Sequence, residues 1–470
     1  MIWVRRIIFL GLILSGLAFL AQDARHTRVE APPGSVVITY WEKWSGREAD
    51  QMREIVDAFN GTVGKEKRIW VRYLSMTAVD QKTLLATAAG APPDVAGIWD
   101  AQITQFAALG VLERLDLLEH KPVFYDGCRY EGRLYALPST PGVIALHYNK
   151  RLFEKKAAQL RAAGLDPDRA PRTIAELDRY AQILDTRAEE GQLTSAGYLP
   201  QEPGWWLALT PYWFDGRVYD PATRKITFTD ANVIASYTWV QSYTNRLGAQ
   251  TIQQFRSTLG KDNFDSPQSP FFTGAVAMQQ EGAWKANYIA KLNPRMSNRR
   301  NLASDDLKKL TRQERRENCE WAAAPFPAVD ANAPPVTYAG MDVLVIPSTS
   351  KHKAEAFEFV AFVNRQDQME KLCSMHCKSS PLANMSKAYI ENHPNPYIEV
   401  FEELAASPNA RGLPPIPIWP EVQTELNFAV ERICLGETTP ERALAEAQTR
   451  AQTALDRFFQ RDDQRNRKTQ

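Results

Sequence analysis

The sequence predicts an α/β protein built as two lobes, and three observations carry that prediction. The first is the order of elements near the N-terminus. Val36–Tyr40, Arg68–Leu74 and Pro93–Asp100 read as strands, while Glu48–Asn60 and Gln81–Ala89 read as helices. A strand–helix–strand–helix–strand order argues for an open parallel sheet. The second is length, since 470 residues exceed what one compact core organises. The third is the stretch Tyr130–Lys150, YEGRLYALPSTPGVIALHYNK. Its two short β-rich runs are joined by Pro138 and Pro141, which forbid a helix and suit a chain leaving one lobe for another.

Each element has a local reason. Val36–Tyr40 is a continuous β-branched run, the signature of a strand buried on both faces. Met52, Ile55, Val56 and Phe59 recur at helical spacing and give Glu48–Asn60 one apolar face. Ile103–Leu109 is a helix stopped by Gly110. Leu152–Ala163 is helical. Thr173, three residues before Glu176, reads as the N-cap of Ile174–Leu184. Gln201–Trp206 is an aromatic loop feeding a helix that holds Tyr212 and Trp213. Val218–Phe228 reads as a hairpin, Ala231–Arg246 as a helix and Phe272–Met278 as a strand. Trp321–Phe326 and Met341–Ile346 are expected strands. Ala354–Asn364, Val422–Leu435 and Pro440–Phe459 are expected helices. In an open parallel sheet, ligands bind beyond the carboxyl ends of the strands. That rule selects Trp41–Gly46, Ser75–Met76 and Trp99–Asp100.

Composition excludes several classes. Basic and acidic side chains number 56 and 55, so no excess of positive charge exists to neutralise a nucleic acid. There is no Gly-x-Ser-x-Gly elbow and no Walker loop, and no cofactor is implied. Cys373-Ser-Met-His-Cys377 lacks a second pair at ligand spacing, so it reads as buried thiols or a local disulfide and no metal is expected. Arg5 and Arg6 precede a 15-residue apolar run, Ile7–Ala21. As a helix that run is roughly 22 Å long, short of a full bilayer span. A secretory leader over residues 1–25 is therefore expected, with an uncleaved anchor as the alternative.

The Tyr130–Lys150 stretch resembles the first interlobe crossing of family 1 extracellular solute-binding proteins, the group that includes the maltose-binding protein. Further segments resemble that family in order. PPDVAGIWDAQITQFAALGVLERLDLL is similar to its third strand and FFTGAVAMQQEGAW to its second crossing. VIPSTSKHKAEAFEFVAFVN is similar to its last strand and helix before the third crossing, and ETTPERALAEAQTR to its C-terminal helix. The resemblance covers roughly residues 36–458. It implies a periplasmic-binding-protein fold with two lobes, a hinge of about three crossings and an interlobe cleft. One lobe is expected over 36–139 and 280–363, the other over 140–279 and 364–458, and a disordered tail over 459–470. It also implies a monomer, periplasmic or extracellular, that delivers a carbohydrate to a membrane ABC permease and is not an enzyme.

Site residues carry over one by one. Trp284 matches a sugar-stacking tryptophan. Glu202 precedes the cleft aromatic, which is Trp205 with Trp206 as alternate. Trp99 and Asp100 lie in a strand-end loop that supplies an aromatic and a carboxylate, and Trp44 and Ser45 lie in the first loop with Glu42 beside them. Trp419 follows a proline run and either rims the cleft or packs. Indole rings offer flat apolar area to the C–H face of a pyranose, and carboxylates accept from its hydroxyls. Two departures weaken maltose itself as the ligand: Gly142 replaces a cleft glutamate, and Gly340-Met341-Asp342 lacks a Gly-Gly pair. Other ligands on the same fold, glycerol phosphate or a polyamine, remain alternatives. So does a glycosidase, which needs two carboxylates facing across a cleft.

Overall fold

A computed structural model describes residues 31–115, 122–259, 266–330 and 332–469. The leader expected over 1–25 lies outside them. Eight strands position the site: β1 (Val36–Glu42), β2 (Ile69–Ser75), β3 (Val95–Trp99), β4 (Leu137–Asn149), β5 (Leu193–Tyr198), β6 (Val276–Gly282), β7 (Trp321–Ala324) and β8 (Thr337–Val345). They run in one sheet in the order β2-β1-β3-β8-β4-β6-β5, with β7 also on β4.

The sheet has two halves of different character. In the first lobe, β1 pairs in parallel with β2 and with β3, as the strand–helix alternation predicts. The helix between β1 and β2, α1 (Gly46–Gly61), buries Met52, Ile55, Val56 and Phe59. Phe59 meets Phe359 and Phe362 edge-on at 5.3 Å. Burying such a ring contributes about 1.5–3 kcal/mol. In the second lobe, β6 and β7 lie antiparallel to β4, and β5 lies parallel to β6.

β4 joins the halves. Its first part, Leu137–Val143, pairs with β8, and its second part, Ile144–Asn149, pairs with β6 and β7. The sequence suggested two strands around a Pro-x-x-Pro link; the chain instead makes one 13-residue strand. Pro138 is accommodated because the register shifts at Asp342/Val343, where Thr140 faces Asp342 and Pro138 faces Val343, leaving Ser139 between them, while Pro141 faces Met341. Proline lacks the N–H a ladder needs, and a bulge is where a strand tolerates it.

Two expectations about the chain path change. The segment expected as the second crossing does not leave the second lobe: Met278–Gly282 is zipped to Tyr148–Ile144. Residues 280–363 do not pair as one block either. Trp321–Ala324 stays on β4's second part, and only β8 returns to β3. The expected strand over Phe272–Met278 is split into a helical turn, Pro270–Thr273, and β6. At the C-terminus the last helix runs Pro440–Thr469, beyond the point where a disordered tail was expected.

Candidate functional site

A cavity of about 630 Å³ opens between the lobes, within the usual range for small-molecule pockets. From the first lobe come Lys43–Glu48, at the carboxyl end of β1 and the start of α1. With them come Trp99–Ala101 after β3, Met341 and Asp342 of β8, and Lys378. From the second come Trp205, Trp206, Leu209, and Trp284 with the helix that follows it, α2 (Lys285–Leu292). The helix α3 (Trp419–Cys434) adds Trp419 and Gln423. Gly142, Tyr338 and Gly340 line the seam. The strand-end rule thus selected two of these loops, Trp41–Gly46 and Trp99–Asp100.

Six of the chain's 12 tryptophans line this one cavity: Trp44, Trp99, Trp205, Trp206, Trp284 and Trp419. Trp99 is 49% exposed and Trp205 37%, whereas Trp44 is 6% and Trp419 1% exposed, so the first two are open and the last two largely covered. Trp206 sits 6.2 Å from Trp284 and 5.6 Å from Tyr338, ring centre to ring centre. Trp284 folds back over the end of its own strand. A Cβ on Gly282 would fall 2.1 Å from the Trp284 ring, so only glycine fits there. The ring's edge also reaches Gly142, where a Cβ would sit 3.5 Å away. The indole N–H groups of Trp206 and Trp419 are buried without a partner among the described residues.

Two expected site residues are elsewhere. Glu42 is fully buried beneath the floor and does not line the cavity. Its carboxylate accepts from the Tyr40 hydroxyl, the Lys43 N–H at 2.7 Å and the Trp44 N–H at 3.4 Å, and it packs against Gly97. It therefore shapes the β1 end loop. Glu202 does not line the cavity and pairs with Arg256 at 3.6 Å. Ser45 lines the cavity as the residue before α1, and its side chain makes no capping bond.

Asp100 accepts from the Met341 N–H at 3.2 Å and from the Tyr338 hydroxyl at 3.4 Å. Desolvation, reinforced by the nearby Asp342 charge, lifts its carboxyl to about 7 in spite of these bonds. Sequence reasoning missed Asp342, Lys43 and Lys378. Asp342 accepts from Lys378 Nζ at 2.7 Å and sits 3.1 Å from Lys43 Nζ, and Thr140 donates to it at 3.0 Å. Burial alone would raise the Asp342 carboxyl, but the Lys378 and Lys43 ammonium groups outweigh it and hold it well below the ordinary range. No local signal marks this cluster, because its members are brought together from three distant segments. Among the described residues, no group of three or more His, Cys, Asp or Glu is placed to hold a metal, and all five cysteines are free thiols.

A cavity between an α/β pair of lobes, floored by strand-end loops, defines a ligand-binding protein of the two-lobed periplasmic type. The chain belongs to the bacterial extracellular solute-binding protein family, whose model matches residues 44–370. A protein of Brucella abortus (strain 2308), named only as a binding protein, is 21% identical over 94% of this chain and 97% of its own. Among solved structures, CpMnBP1 with mannobiose bound aligns with a TM-score of 0.71 at 23% identity, over 89% of this chain and all of that one. An ABC transporter solute-binding protein of Thermotoga lettingae bound with α-D-tagatose aligns at 0.66 and 21% identity, over 90% of this chain and all of that one. These likenesses establish the fold.

Proposed function

We propose that this protein is an extracytoplasmic receptor that binds a sugar or short oligosaccharide in the interlobe cavity and delivers it to an ABC permease. The observation that carries the reading is the gathering of six tryptophans around one cavity with hydrogen-bonding groups from both lobes. Trp284, Trp99, Trp205 and Trp206 are the stacking rings. Asp100, Asn287 and the buried indole N–H groups of Trp206 and Trp419 meet hydroxyls. Ser45 and Trp44 border the same space. Each aromatic contact contributes roughly 0.5–1.5 kcal/mol beyond burial. The sugars named for CpMnBP1 and the Thermotoga lettingae protein support this class of ligand. Delivery to a permease follows from the family, and the receptor acts as an exported monomer without catalysis.

A thermal-shift screen tests the reading with mannobiose, mannotriose, maltose, glycerol 3-phosphate and spermidine. A ligand at 100 times its Kd stabilises by about 2.7 kcal/mol, a shift easily seen. One of the saccharides is expected to raise the midpoint. A response only to spermidine or glycerol 3-phosphate would overturn the carbohydrate reading, and new reducing ends from an oligosaccharide would reveal a hydrolase. Mass spectrometry of the native protein is expected to find it lacking its first 21 to 26 residues. An intact Met1 in the membrane fraction would mean an anchor instead.

A further inference from the structure

We propose that Asp342 is the positioning residue of the cleft, holding two lysines so that three tryptophans form one ordered platform. The geometry is an alternation of rings and cations. Lys43 Nζ lies 5.4 Å from the centre of the Trp99 ring and 5.1 Å from that of Trp44. Lys378 Nζ lies 5.5 Å from Trp44 and 5.4 Å from Trp284. The sequence through space is therefore Trp99, Lys43, Trp44, Lys378, Trp284. Ammonium groups within about 6 Å of a ring centre are attracted by its negative face. The two outer rings are partly open to the cavity, and the middle one is buried and held edge-on by His376 at 4.6 Å.

Lysine side chains are long and flexible, so a ring held by a lysine is only as ordered as that lysine. Here both are pinned. Asp342 takes Lys43 on one carboxylate oxygen and Lys378 on the other, and all three side chains are at least nine-tenths buried. Lys43 also donates to the Ile98 carbonyl at 3.2 Å, and Lys378 to the Thr140 hydroxyl at 2.9 Å. The arrangement spans the cleft. Trp99 and Trp44 extend from the first lobe, Trp284 follows β6 of the second, and Lys378 bridges them. One carboxylate thus sets the relation between stacking rings on opposite sides of the cavity. The consequence for sugar affinity rests on the reading above; the ordering of the rings does not.

Fluorine NMR of protein labelled with 5-fluorotryptophan tests this ring by ring, with resonances assigned by single Trp→Phe replacements. Without ligand, Lys378→Met is expected to shift or broaden Trp44 and Trp284, and Lys43→Met to do so for Trp44 and Trp99. Asp342→Asn should disturb all three, while the core rings Trp213 and Trp321 stay as they are. Lys378→Arg, which keeps the cation, should restore the Trp284 signal. If Asp342→Asn fails to fold, the two lysine variants decide. An unaltered Trp284 resonance in Lys378→Met, or equal changes at Trp213 and Trp321, would overturn the proposal. Mannobiose titrated into the wild type and Lys378→Met adds the functional arm, with a roughly tenfold loss of affinity expected for the variant. Ring signatures as expected with no mannobiose binding to the wild type would uphold the platform and remove mannobiose from the candidate sugars.

Discussion

Lys43 and Lys285 are both lysines with buried side chains near the cleft, one in each lobe, and their surroundings drive them in opposite directions. Burial disfavours the ammonium form of each. At Lys43 the carboxylates of Asp342 and Glu42 are within contact distance, and they outweigh burial so that its pKa is raised. At Lys285 burial prevails and the pKa is lowered, since Glu281 and Glu202 attract it without a hydrogen bond among the described residues. Its ammonium lies over the rings of Phe272 at 4.7 Å and Phe271 at 5.5 Å. Glu281 shares the same fate. Burial, opposed by Lys285, lifts it to about 7. The difference teaches that distance to a partner, more than burial itself, fixes the charge state of an inward-facing lysine.

The strongest test of that contrast is Asp342→Asn. It leaves the buried Lys378 ammonium without its carboxylate partner and Lys43 with Glu42 alone, and a loss of about 3–5 kcal/mol in unfolding free energy is expected from denaturant titration. Since the folded Asp342 value lies below the unfolded one, its contribution is present above about pH 4 and fades as the pH falls through the folded value. A variant as stable as the wild type at pH 7 would mean that the triad adds nothing.

Glu281 should show the opposite sign. Its folded value is raised, so its contribution is full below about pH 4.5 and lost as the pH climbs through about 7, on the order of 3 kcal/mol. Glu281→Gln is expected to flatten this part of the stability–pH profile. Asp100, also lifted to about 7, leaves a residual slope of the same sign. An identical profile in wild type and variant would show that folding leaves the Glu281 pKa where it is in the unfolded chain.

Trp284 stands where the two lobes meet, and its removal separates site from scaffold. Trp284→Ala is expected to cost roughly 2 kcal/mol in sugar binding, about 30-fold in Kd by calorimetry, with a small change in midpoint. A midpoint lowered by many degrees with affinity intact would assign the ring to the core. The smallest effect is expected at Lys285. At pH 6, where Glu281 holds its proton, Lys285→Met replaces a poorly paired buried cation by an apolar chain and should stabilise by about 1 kcal/mol. Destabilisation on the scale of Asp342→Asn would erase the contrast between the lobes.

The sequence alone determined the parallel β1–β3 unit, since β-branched runs alternating with an apolar helical face admit few other arrangements. It also determined that Trp44, Trp99 and Asp100 would stand at strand ends, because that rule depends only on topology. Trp205, Trp206 and Trp284 came from resemblance and Trp419 from its place after a proline run, and all four line the cavity. What tertiary structure decided is which polar groups face it. Glu42 and Glu202 have the right chemistry and sit in the right loops, yet one turns under the floor to its own backbone and the other turns to Arg256. Asp342 and Lys378 carry no local mark, since their meaning arises only when β8 returns beside β4 and brings Lys378 onto Thr140. Lys43 and Asp342 lie far apart along the chain. Contacts of that kind depend on strand register and on the bulge beside Asp342, and periodicity along the chain holds no record of either.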